Sequence, residues 1–165
     1  MSGAMKSGLI FAAVGLIGVL ATAFIPGPGS VLCGPLLAVI VGGVAGFYGV
    51  RWTSEDARVS RGVLAGTLAG LGMVVGAVIG YVVLFNSLST DPLFQEQLGA
   101  FLEQRPDVQV DQGALGAAVG LAGVVAGLCF GLLNLLLALA FGALGGWLAL
   151  RGRPGPSAPP APPLG

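Results

Sequence analysis

GVLAGTLAGLGMVVGAVIGYVVLF, residues 62–85, holds no Asp, Glu, Lys or Arg, and its reading decides the fold. A helix of about 20 residues, rising 1.5 Å per residue, crosses the hydrocarbon core of a bilayer with every backbone group bonded internally. This stretch is long and apolar enough to do so. Within it glycine recurs at every fourth place, first at Gly62, Gly66 and Gly70 and then, after a shift of register, at Gly72, Gly76 and Gly80. Residues four apart lie on one helix face, so each triplet clears a groove that another backbone can approach closely. The register shift points the two grooves in different directions. One suits a neighbouring span, and the other suits a second neighbour, another copy of the chain being a candidate. Leucine at Gly66 or Gly76 is expected to disturb assembly, whereas leucine at Ala77, read as lying off the groove, is not.

Working outward, Ser7 to Phe24 and Val31 to Val50 are also free of charge, and Ala114 to Leu150 is apolar for nearly twice the length a span needs. Between the first two lies Pro26-Gly27-Pro28-Gly29-Ser30, which reads as a tight turn, because proline lacks the amide donor and glycine has no helical preference. The whole chain of 165 residues is 55% hydrophobic and 8% charged, with mean hydropathy +0.95. A soluble domain devotes about a quarter of its residues to charge. The expected fold is therefore an all-α integral membrane four-helix bundle with glycine-mediated packing, one transmembrane domain over residues 1–150 and a disordered proline-rich tail over 151–165.

Charge sets the orientation, since short loops rich in Lys and Arg stay cytoplasmic. Lys6, Arg51, Arg58, Arg61, Arg151 and Arg153 fall on one side of a four-span arrangement, and the acidic connection 86–113, with Arg105 its one basic residue, falls on the other. Both termini are expected in the cytoplasm. This favours a single long, tilted helix over 114–150, because a fifth crossing would carry Arg151 and Arg153 outward. Two spans remain the competing reading. AAVGLIGVLA at 12–21 differs from AAVGLAGVVA at 117–126 only at Ile17/Ala122 and Leu20/Val125, and Leu36–Arg51 shares Leu-Leu-Ala, two glycines and the final arginine with Leu136–Arg151. A cleaved signal peptide is the alternative for residues 1–23, on Lys6, the apolar run and Ala21-Thr22-Ala23.

Further glycines extend the packing pattern: Gly42 with Gly46, Gly116 with Gly120, and Gly123, Gly127 and Gly131. The third and fourth spans are the expected partners. Soluble-type catalysis has no obvious carrier: without histidine a Ser/His/Asp triad is excluded, two cysteines cannot build a four-cysteine zinc site, and a membrane enzyme using the outer carboxylates Asp91, Glu96 and Glu103 ranks third among the readings. Cys33 and Cys129 read as buried thiols, with a disulfide as the alternative. No enzyme activity, metal or cofactor is expected. Nor is nucleic acid a partner, since seven basic and seven acidic residues leave no basic patch. No ionisable side chain sits within a span, and the intramembrane polar groups are Thr22, Tyr48, Thr67, Tyr81 and Asn134. Asn134 is read as an interhelical hydrogen-bonding residue. In the outer connection, Asp91 is expected to cap a helix over 92–103 whose Leu93, Phe94, Leu98, Phe101 and Leu102 share one face, an amphipathic helix at the membrane surface.

The order of hairpin, Gly42-Gly43-Val44-Ala45-Gly46, short charged loop, Gly62 to Gly80 ladder, outer connection and glycine-rich last span resembles a group of small glycine-rich, four-helix prokaryotic membrane proteins classed as domains of unknown function. The resemblance implies an architecture and no activity. Six Arg against one Lys point to a GC-rich prokaryote and hence to the plasma membrane. The expected role is a non-enzymatic membrane scaffold or assembly component, with the lipid bilayer and either itself or another membrane protein as partners. The alternative is a passive pore or transporter subunit formed by oligomerisation, its path lined by glycine backbone, Thr67, Tyr81 and Asn134.

Overall fold

In hydrocarbon a backbone must bond within its own segment, so apolar runs of this length become helices. The computed structural model describes residues 2–23, 29–53, 58–103 and 112–152. Among them α1 covers Gly3–Ala23, α2 Gly29–Arg51, α3 Val59–Ser89, α4 Pro92–Glu103 and α5 Gln112–Arg151, and no strand occurs. By length and apolar composition α1, α2, α3 and α5 can each cross a membrane. The fold is all-helical and of the multi-pass type.

The helices overrun the apolar cores that the sequence marks. Gly29 and Ser30, expected in the turn, open α2, and Gln112 and Gly113, expected in the outer linker, open α5. Helical hydrogen bonding continues through such residues once a turn has formed, because each added residue gains a bond. Residues 112–151 form one unbroken helix of 40 residues, about 60 Å long. Pro26 to Pro28, the linker from Arg105 to Asp111 and the proline-rich segment from Arg153 lie outside the described residues.

Around the bundle the order is α1, α3, α5, α2. α3 makes its most extensive contact with α5, and α2 also touches α3 across the middle, while α1 and α5 share no contact among the described residues. α1 runs parallel to α3, with Gly8 beside Leu68 and Gly15 beside Met73; α5 runs antiparallel to α3, with Gly127 beside Val78 and Gly62 beside Gly142. α2 and α5 are parallel, Gly42 meeting Ala138 and Gly46 meeting Gly142.

Size is distributed in the reverse of a water-soluble core. Ala38, Ala45, Ala65 and Ala69 are fully buried with Met73, whereas Ile17, Leu32, Leu121 and Leu136 are exposed. Lipid solvates large apolar side chains as well as a protein interior does, so small residues inside, which let backbones approach, are the stabilising choice. One polar tie joins the first two helices: buried Ser7 donates its hydroxyl to the Ala45 carbonyl at 2.9 Å. At the other end of the bundle Asp91 Oδ1 accepts the Leu93 amide at 2.8 Å, capping α4 ahead of Pro92. On α4 Phe94 lines an apolar groove with Phe85 and Leu88 of α3 and Val119 of α5, while Leu93 is 70% exposed. The side chains of Leu98, Phe101 and Leu102 lie outside the described residues, so the rest of that expected face is not defined.

Candidate functional site: a polar pocket among the four spans

Polar side chains are sparse in the spans, and three of the five singled out in the sequence converge. Thr22 from α1, Tyr81 from α3 and Asn134 from α5 line a cavity of about 60 Å³ together with Gly34 and Pro35 of α2. Each spanning helix contributes. Asn134 lies 17 residues before Arg151, about 25 Å along the axis, and so near the far edge of a hydrocarbon core about 30 Å thick if Arg151 marks the opposite edge.

The amide is only 3% exposed, and its Oδ1 has no hydrogen-bond partner among the described residues. An unsatisfied buried acceptor of this kind costs about 1–3 kcal/mol. Gly34 makes room for it: a Cβ there would stand 3.4 Å from Asn134 Nδ2. Next to Gly34, Pro35 inside α2 has no N–H, and the carbonyl four residues back loses its helical donor. The Thr22 hydroxyl donates to the Val19 carbonyl at 2.8 Å, which leaves its oxygen lone pairs to accept. Tyr81 stacks on Phe130, with ring centroids 5.2 Å apart and planes at 10°. These groups can hold a small uncharged molecule by hydrogen bonds. They carry no formal charge with which to offset the desolvation of an ion.

Thr67 and Tyr48 lie elsewhere. Thr67 donates to Val63 within its own helix, and Tyr48 packs with Phe11, Phe47 and Trp52 toward the arginine-bearing end. Cys33 and Cys129 are both free thiols, Cys129 being exposed. Among the described residues no cluster of three or more His, Cys, Asp or Glu occurs.

The glycines divide by what they face. Gly42, Gly46, Gly62, Gly66 and Gly70 lie where α2, α3 and α5 close on one another; a Cβ on Gly66 would stand 2.6 Å from the Ala138 carbonyl oxygen. Gly72 and Gly76 face Ala12 and Leu16 of α1, so the second direction of the α3 ladder is filled by the same chain. Gly123, Gly127 and Gly131 return to α3 at Val82, Val78 and Val74, and Gly80 lines the pocket. Gly116 and Gly120 have nothing within 4 Å. Ala77, expected off the grooves, is 1% exposed and has its carbonyl oxygen beside Gly127. It is a core position, because it lies one residue from Gly76 and four from Met73, which put it between α3's two contact faces.

Sequence reading missed three contributors: Ser7, Gly34 and Pro35. Pro35 left a signal, a proline inside an apolar span, where the freed carbonyl needs another partner. Ser7 left none, since a serine at the start of an apolar run has no period to betray its direction. No family model matches the chain, and no curated protein or solved structure matches it either.

Proposed function

We propose that the chain is a non-enzymatic integral membrane scaffold or assembly protein, a bundle closed by glycine contacts within the chain and offering the far end of α5 to itself or to another membrane protein. One observation carries this reading. α5 is 40 residues long, and even at a steep tilt of about 40° its roughly 60 Å projects about 46 Å against a core of about 30 Å. The excess includes Ala114 to Leu121, apolar throughout, with Leu121 65% exposed and Gly116 and Gly120 uncovered. Apolar surface held beyond the bilayer favours a protein contact. The basic residues of α1, α2, α3 and α5 share the opposite end, which the positive-inside rule assigns to the cytoplasm of a plasma membrane.

Native mass spectrometry of the protein extracted in its own lipid tests this. The expected result is a dimer or a stable companion that Gly116→Leu with Gly120→Leu removes while thermal stability is unchanged. Monomers without companions, or assemblies indifferent to that double substitution, reject it.

The pocket favours a second reading, a passive pore or transport subunit, because the unsatisfied Asn134 oxygen faces a space to which all four spans contribute. Flux through proteoliposomes that falls to background on Asn134→Leu supports it, and silent liposomes reject it.

A further inference from the structure

Leu36–Arg51 and Leu136–Arg151 are similar in sequence, and the two stretches lie side by side. α2 and α5 run parallel there, with Gly46 against Gly142 and Gly145 against Gly43. Where backbones meet at glycines, the large side chains stand to either side. They leave an open groove of about 270 Å³, with Gly43 and Gly145 along its floor and Phe47, Tyr48, Leu144 and Leu148 among its walls. Tyr48, Leu144 and Leu148 are 39%, 47% and 50% exposed, so the groove opens to lipid.

Arg51 and Arg151 each stand seven residues beyond a lining residue, Val44 and Leu144. Seven residues are nearly two full turns, so each arginine lies over the groove face of its own helix, about 10 Å further along the axis. Both guanidiniums are turned back along their helices. Arg51 Cζ is 5.5 Å from the Phe47 ring centroid and Arg151 Cζ is 3.8 Å from that of Trp147. Trp52, Trp147 and Tyr48 share this level, as aromatic side chains do where hydrocarbon meets headgroups. Of the described carboxylates, Asp91 and Glu96 belong to the opposite end of the bundle, and Glu55 and Asp56, which follow Arg51 in sequence, lie outside the described residues.

We propose that this groove binds an anionic phospholipid, one acyl chain lying over Gly43 and Gly145 and the phosphate held between Arg51 and Arg151. An apolar groove with two arginines over its end calls for an occupant with an apolar chain and an anionic head. A free phosphate would satisfy the arginines but leave the apolar walls unfilled, whereas guanidinium pairs phosphate oxygens in a two-pronged geometry that suits a headgroup at this depth. The site is independent of the assembly role and of the Asn134 pocket.

The test uses the full chain in nanodiscs of equal parts phosphatidylglycerol and phosphatidylcholine, with retained lipid counted by native mass spectrometry. One phosphatidylglycerol is expected to stay bound while phosphatidylcholine is lost. Each of Arg51→Gln and Arg151→Gln is expected to weaken retention roughly fivefold. Gly43→Leu should abolish it by filling the floor, and the fold accommodates a side chain there, since a Cβ on Gly43 has its nearest neighbour at 3.9 Å. Lys6→Gln removes the same charge away from the groove and should change nothing. Equal retention of the two lipids, a Lys6→Gln loss as large as that of Arg51→Gln, or release of the lipid by inorganic phosphate alone would overturn the proposal. Thermal melting of each variant separates lost binding from lost folding.

Discussion

The two ends of α5 carry the same spacing of glycine and behave in opposite ways. Toward Arg151, Gly142 and Gly146 lie against Gly66 and Gly62 of α3, with Cβ positions 2.8 and 3.1 Å from the opposing Cα atoms. Toward Gln112, Gly116 and Gly120 meet nothing within 4 Å. Spacing alone therefore marks a face on which close approach is permitted. Whether the approach happens depends on whether a second helix is present at that height, and at the Gln112 end α3 and α5 stand apart around the groove lined by Phe85, Leu88 and Val119.

The contrast is broken most sharply at Gly46, where any Cβ would overlap the Gly142 backbone. Gly46→Leu is expected to cost about 3 kcal/mol or more, read as the unfolding free energy of the bilayer-reconstituted protein, and a loss below 1 kcal/mol would mean that α2 and α5 are free to part. A smaller effect of opposite sign is expected between the two ends. Asn134→Leu should stabilise the same protein by about 1 kcal/mol, because it removes the unpaired acceptor and fills space beside it; destabilisation would show that Oδ1 has a partner supplied by the surroundings. The smallest effect belongs to the open end: Gly120→Leu should change monomer stability by less than about 0.5 kcal/mol. A loss comparable to that of Gly46→Leu would place an unrecognised neighbour on that face.

Much of the bundle is legible in the sequence for a specific physical reason. In lipid, length and apolarity define each span, and small residues at a helical period define its contact face. The change of register between Gly70 and Gly72 corresponds to two different neighbours, α5 and α1. What periodicity cannot convey is where a neighbour ends, and so Gly116 and Gly120 read the same as Gly142 and Gly146. Nor does it separate a contact face from its flank. Counting glycine alone puts Ala77 outside, although alanine is nearly as small and fills the same kind of contact.

The candidate pocket was only half legible. Thr22, Tyr81 and Asn134 stand out as polar letters in apolar runs, and no period relates positions so far apart on three helices. Their meeting depends on α1 and α3 being parallel and on α5 opposing both, which the hairpin order permits but does not specify. Gly34 and Pro35 matter through what they lack, a side chain and an amide hydrogen, and such contributions stay silent until a neighbour is in place.

The Ser7–Ala45 bond bears on how the protein is made. It links two helices that are consecutive in the chain, so this pair can latch before the later spans are made. α5, synthesised after α2 and α3, contacts both of them. Until it arrives, the faces at Gly42, Gly46, Gly62 and Gly66 that it will cover stand open to any other small-residue helix.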